Sequence, residues 1–236
     1  MKKGLSIIIP ILNENHNILI LEKQIRESLK KKHYEIIFVD DNSTDNTINT
    51  LISVKKKSKK ISYYIHKGSR DLTRSCFLGI NKAKFSQILI MDGDLQHNPI
   101  YIPKMLKILN SKNVDIVIGS RNFKKRENKS LSFFRLSASK FLIYILKILS
   151  KKNLKDPMSG FFLFHKNLYL NNKKKFYSKG YKILADFIYN IPSIKVEEID
   201  IKFRERKFGY SKMNFYVLIL LTIFILKKLI FKLPIK

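Results

Sequence analysis

The sequence has one cysteine, Cys76, and no tryptophan among its 236 residues. A lone thiol cannot close an intrachain disulfide, so the fold must rest on its core, as suits a reducing compartment. With only 8 Gly and 6 Pro, collagen-like repeats and flexible linkers are excluded. Acidic residues are also scarce, 18 against 47 Lys and Arg, for a formal net charge of +29. The basic start, MKKGLSIIIP, reads as no signal peptide, because its apolar run is too short and stops at Pro10. Hydrophobic residues at 45% and aromatics at 12% exclude a disordered chain. The length suits one α/β domain, with at most a short appendage.

The basic excess admits nucleic acid, an anionic membrane surface or phosphate-bearing ligands as partners. It is equally what a Lys-, Ile- and Asn-rich composition produces without any partner. Charge alone assigns no function.

The first 120 residues alternate regularly. Short apolar runs at Leu5–Pro10, Tyr34–Asp40, Ile61–His66, Gln87–Met91 and Asp115–Gly119 predict strands. Helix-length segments lie between them, at Asn17–Leu29, Thr47–Lys56, Thr73–Ala83 and Ile100–Leu109. Wholly apolar strands separated by helices predict a mostly parallel sheet covered on both faces. Ligands bind such sheets at the carboxyl ends of the strands. The polar clusters fall there: PILNEN, DDNSTDNT and DGDLQH follow the first, second and fourth strands.

Later segments read differently. A basic loop follows Gly119, and a helix is predicted over Leu131–Leu149. DPMSGFFLFHK reads as a turn into a strand, followed by a helix near Tyr181–Tyr189 and a strand near Val196–Phe203. In the tail, the uninterrupted apolar run Phe215–Leu226 would rise only about 18 Å as a helix, short of a roughly 30 Å hydrocarbon core. A longer span would enclose Lys227 and Lys228, at roughly 2.5–3.5 kcal/mol each at mid-membrane. A helix lying in the membrane interface, with its lysines snorkelling outward, is the expectation, and a buried core helix is the alternative.

Asp92 and Asp94 stand one residue apart where an apolar strand ends. Carboxylates converging at such a turn form a hard oxygen site suited to Mg2+ or Mn2+ that also holds substrate phosphates, with Gln96 as a further oxygen donor. Gly93 is read as the point where the backbone approaches a ligand closely. The plain alternative is an Asp-rich turn capping the following helix. Asp40 and Asp41 suit hydrogen bonds from a base or ribose, as do Asn13 and Glu14. Asp45 or Thr44 suits a helix cap. Among the histidines, His66, His97 and His165 read as structural, or as supports to ligand-holding residues, rather than as bases.

SIIIPILNEN, IIFVDDNSTDNT, ILIMDGDLQHNP, VIGSR, DPMSGFF and FRERKFGYSKM occur in the order and rough spacing of family 2 GT-A glycosyltransferases. More narrowly, they resemble those acting on polyprenyl (dolichyl) phosphates. The resemblance spans about residues 4–213. It implies a GT-A catalytic domain over 1–213, a Rossmann-like, mostly parallel sheet flanked by helices, and a membrane-associated tail over 214–236. It further implies that Asp92, Asp94 and Gln96 bind a divalent metal, while Pro10, Asn13, Glu14, Asp41 and Asp92 line the nucleotide-sugar site. Arg121, Arg135, Ser139, Arg206 and Lys212 would hold donor or acceptor phosphates, with Asp92, Asp94, Arg121 and Arg206 central to catalysis. The helix near 131–149 would rest on the membrane. Gly93 stands where the family usually has Ala, and RDLTRSCFLGI departs from the family's smaller residues near Asp71 and Arg74.

A hydroxyl acceptor needs a general base, whereas a lipid phosphate is already ionised and needs cations to position it. The late segments supply Arg135, Arg204, Arg206 and Lys212, and arginine's planar fork suits phosphate oxygens. Their one candidate base, Asp186, reads as a helix residue. The expectation is therefore hexosyl transfer, with GDP-mannose the favoured donor, to a polyprenyl phosphate at the cytoplasmic face of the cell membrane, whose anionic surface the basic chain would bind. UDP-glucose or UDP-GlcNAc donors, or a glycan hydroxyl acceptor, remain open. A nucleic-acid-binding module explains the charge but not the aspartates, and no nucleic acid is expected as a partner. A nucleotide-sugar pyrophosphorylase would need a Gly-rich basic loop after the first strand, and PILNEN is not one.

Overall fold

Residue alternation in the strands builds two cores at once. The computed structural model describes residues 2–30, 32–121, 152–177, 180, 183–206 and 208. In β1 (Lys2–Ile11) every residue from Leu5 onward is buried. Ile7, Ile9 and Ile11 face one core and Ile8 the other, as the two-residue period of a strand requires. In β2 (Tyr34–Asp40), Ile36 and Phe38 join the first core, Ile37 and Val39 the second. The first core is closed by α1 (Asn15–Ser28), α2 (Thr47–Lys57) and α4 (Ile102–Ser111), through residues such as Leu21, Leu51 and Met105. The second is closed by α3 (Leu72–Lys82), α5 (Lys166–Asn172) and α6 (Ile183–Asn190), through Ile80, Tyr169 and Phe187. Both faces of the sheet are covered, as expected from its wholly apolar strands.

The remaining strands are β3 (Ile61–Ile65), β4 (Phe85–Ile90), β5 (Ile116–Arg121), β6 (Phe162–His165) and β7 (Val196–Ile201). The sheet order is β3-β2-β1-β4-β6-β5-β7. All described pairings are parallel except those of β6, which runs against β4 and β5. This mixed, mostly parallel sheet is the expected α/β architecture. The reversal of β6 places its entry turn beside the carboxyl ends of the other strands. One edge thus collects the loops after β1, β2, β4 and β7, the end of β5 and the DPMSG turn.

Helix starts follow ordinary chemistry. Asp71 caps α3 by accepting from the Arg74 N–H at 3.0 Å, and Asp45 accepts from the Thr47 N–H at the start of α2. Asn98 accepts from the Ile100 N–H ahead of the turn that leads into α4. Helix α5 was not expected, and β1 begins three residues earlier than predicted. The helix expected at 131–149 and the tail from 214 lie outside the described residues. Among the described residues, no helix is long and apolar enough to cross a membrane.

Candidate active site

Two groups of residues meet at this edge. In the first, the loops after β1 and β2 are laced together. Asn13, at φ 53°, donates its backbone N–H to Ser43 Oγ at 2.8 Å, and its side-chain oxygen accepts from the Thr44 N–H at 2.8 Å. The Glu14 N–H donates to Thr47 Oγ1, and its buried carboxylate accepts from Asn17. Asp40 spends both oxygens on Ser43, closing the turn. Asp41 is buried, and its Oδ1 pairs with His66 Nδ1 at 2.8 Å and accepts from Ser75 Oγ at 3.0 Å. Pro10 is buried within β1.

The second group is built on the turn after β4. Leu95 takes φ 64°, a conformation that a bulky residue seldom adopts outside turns and constrained sites. Asp94 is buried, accepting from Arg206 Nη2 at 2.6 Å and from the Gln96 N–H at 3.1 Å. Gln96 is tied to the loop after β7 in both directions. Its side-chain nitrogen donates to the Arg204 carbonyl at 3.2 Å, and its own carbonyl accepts from the Arg204 N–H at 2.9 Å. Burial, and then the Asp92 charge, raise the Asp94 pKa above the usual carboxylate range, against the opposing pull of Arg206 and His97.

Arg121, at the end of β5, forms a bidentate pair with buried Asp156, at 2.6 and 2.8 Å, and its guanidinium lies 5.4 Å from the centre of the Phe203 ring. Burial alone would lower its pKa, but Asp156, then Asp92 and Asp94, outweigh that and hold it above the usual arginine value. Asp156 is held in turn, its N–H donating to Glu198 Oε1 at 3.1 Å.

Of the predicted site residues, the structure brings together Asp92, Asp94, Gln96, Arg121 and Arg206, with Asn13, Glu14 and Asp41 on the neighbouring loops. Arg135, Ser139 and Lys212 lie outside the described residues. Gly93 also has a packing role that the sequence did not signal. A Cβ there would meet Ile11 Cγ2 at 2.7 Å, so this glycine lets the turn pack on β1. Two residues of the arrangement, Asp156 and Gly160, were not singled out, whereas His97, read as structural or as a support, stands beside Asp92. A Cβ on Gly160 would lie 2.2 Å from Asp92 Oδ2. His97 is buried between Phe161 and Phe203, its Nδ1 3.7 Å from Asp92 Oδ2. Burial pushes its pKa down to about 4, so it is neutral at pH 7. Of Asp156 and Gly160, only the aspartate left a trace in the sequence, since an arginine at the end of a buried strand calls for a carboxylate.

The Glycosyl transferase family 2 model matches residues 6–171. The chain belongs to that family. A dolichol-phosphate mannosyltransferase of Pyrococcus furiosus is 34% identical over 213 residues, covering 89% of this chain and 59% of that protein. This chain therefore spans well under two thirds of that relative's length. A dolichol-phosphate mannosyltransferase of Saccharomyces cerevisiae is 28% identical over 227 residues, covering 91% of this chain and 82% of that one. Glucosyl-3-phosphoglycerate synthase from Mycobacterium tuberculosis, in complex with phosphoglyceric acid, superposes with a TM-score of 0.73 at 13% identity. That match covers 96% of this chain and 80% of that one and shows a shared fold. A further structure of that synthase, TM-score 0.68, holds Mn2+ and UDP. The likeness read from the motifs is borne out for the family and for these relatives.

For a family 2 glycosyltransferase, the donor set at the β4 turn is chemically coherent. No cluster of three or more His, Cys, Asp or Glu residues suited to a metal occurs among the described residues. Two hard carboxylates plus substrate phosphate oxygens are, however, the usual environment of Mg2+. Asp94 already carries a cationic partner in Arg206, which marks its Oδ2 as a place where positive charge is stabilised. Asp92 and Asp94 fit a divalent cation, with Gln96 Oε1 able to contribute.

Proposed function

We propose that this glycosyltransferase moves a hexosyl group, with mannose from GDP-mannose the favoured case, onto a polyprenyl phosphate, using Mg2+ or Mn2+. The observation that carries the reading is the meeting of Asp92 and Asp94 with Arg121 and Arg206 at one sheet edge: an acidic donor half beside a cationic acceptor half. The named relatives point the same way. The acceptor phosphate oxygen attacks the anomeric carbon opposite the nucleotide, the bond to the diphosphate breaks, and configuration inverts. A cation held by Asp92 and Asp94 would offset charge on the leaving diphosphate. Arg206 and Arg121 bring positive charge to the phosphate oxygens, Arg121 in an orientation fixed by its bidentate pairing with Asp156. The acceptor is ionised already, so no side chain need take its proton. This agrees with Asp186, whose Oδ1 accepts from the Tyr177 N–H and from Asn190 within its own helix environment.

The site belongs at the cytoplasmic membrane face, where nucleotide sugars and lipid phosphate meet. Labelled nucleotide sugars offered with undecaprenyl phosphate, with and without Mg2+ and Mn2+, test the whole reading. Counts are expected in the organic phase, dependent on metal, and lost in Asp94→Asn while the circular dichroism spectrum stays unchanged. Counts confined to an aqueous glycan, or full activity in that variant, would overturn it.

A further inference from the structure

His97 is the one buried histidine whose ring nitrogens, Nδ1 and Nε2, both lack a hydrogen-bond partner among the described residues. Its place is fixed closely. The ring stacks on Phe161 at 5.3 Å and 21° and meets the edge of Phe203 at 5.2 Å. Phe161 is itself pinned, its carbonyl accepting from the Gly119 N–H at 2.8 Å. The ring therefore cannot swing away to find other partners. Its Nδ1 faces Asp92 Oδ2 at 3.7 Å, just beyond hydrogen-bond range. Gly160 backs the same carboxylate: a Cβ there would lie 2.2 Å from Oδ2 and 2.6 Å from Oδ1. Asp92 Oδ2 thus meets both the His97 ring and the bare backbone of Gly160.

An unpartnered imidazole nitrogen facing a carboxylate gains by carrying the proton that the carboxylate can accept. We infer that His97 is a positioning residue for Asp92: its Nδ1–H closes onto Oδ2 and fixes the orientation in which the carboxylate meets the divalent cation and donor diphosphate. Carboxylates that ligate metals are commonly oriented by such a second hydrogen bond. The inference rests on the metal–diphosphate reading of Asp92 and Asp94, and adds to it the residue that sets the ligand's geometry.

The test measures Mn2+ affinity of the full chain in the presence of a nucleoside diphosphate, by the paramagnetic resonance of free Mn2+, alongside the thermal midpoint. His97→Phe keeps the stacked ring and removes the donor. It is expected to weaken Mn2+ binding about tenfold without lowering the midpoint. His97→Asn carries an amide N–H close to the Nδ1 position and should stay within about threefold of wild type. His97→Gln, whose amide reaches the Nε2 position instead, should lose about as much as His97→Phe, and it serves if the Phe variant does not fold. Wild-type affinity in His97→Phe or His97→Gln, or equal loss in all three variants, overturns the inference alone. Failure of wild type to bind Mn2+ overturns it together with the donor-site reading.

Discussion

Gly160 and Gly93 flank the same acidic turn, yet their missing side chains serve different ends. A methyl at 160 would strike the Asp92 carboxylate, whereas one at 93 would strike Ile11 in the core. Gly160→Ala should therefore cut transfer by roughly 100-fold, as misplacement by about 1 Å can, with little loss of thermal stability. Gly93→Ala should do the reverse, costing about 1–3 kcal/mol in urea denaturation with transfer nearly kept. Equal effects on both readouts would undo the distinction. His97 supplies a pH signature. Its folded pKa of about 4 lies below the ordinary 6.5, so the unfolded chain takes up a proton that the folded one refuses. The stability it contributes is fully present above 6.5 and is lost as pH falls toward 4. The urea midpoint of wild type should drop more between neutral pH and pH 5 than that of His97→Phe, and parallel drops would refute this. Asp92 and Asp94 were legible in the sequence because charge so rarely follows four buried apolar residues. The link of His97 and Gly160 to Asp92 was not, because it is a distance across 5 and 68 positions of chain, and residue type carries no such distance.

Among elements, the junction of β5, β7 and the DPMSG turn is cross-linked by polar groups. Glu198 on β7 accepts from Ser120 Oγ at 2.7 Å, from the Lys155 N–H at 2.8 Å and from the Asp156 N–H, while Asp156 clamps Arg121. Asp156→Ala would leave a mostly buried guanidinium without its partner, at a cost of about 3–5 kcal/mol. A urea midpoint within a few tenths of a molar of wild type would show that Arg121 finds another partner. Strands β1 to β5 were legible as apolar runs, and in β1, β2 and β4 the run stops at a polar cluster that aims the strand's end at the site. The direction of β6 was not. Alternation assigns side chains to faces of a sheet and not the direction of a strand, so pairing with β4 and β5 decides how FLFH runs. Helix α5 starts at Lys166, directly after β6 ends at His165, so no turn residues separate the two.

For the molecule as a whole, the basic excess becomes a prediction about surfaces. If much of the +29 charge serves a membrane face, the full chain should float with anionic vesicles at low salt, at roughly 1 kcal/mol per well-placed Lys or Arg. Binding should weaken steeply toward about 0.5 M salt, as screening shortens the reach of each charge. Retention on heparin or DNA at physiological salt, with no preference for anionic over neutral vesicles, would assign the charge elsewhere. The pairing of Asp94 with Arg206 has a further consequence in time. The partners stand 112 positions apart. Domains begin to fold while synthesis proceeds from the N-terminus. The ribosome therefore releases the acidic turn long before the arginine that neutralises it. A nascent chain holds Asp94 without its Arg206 partner until the segment after β7 emerges.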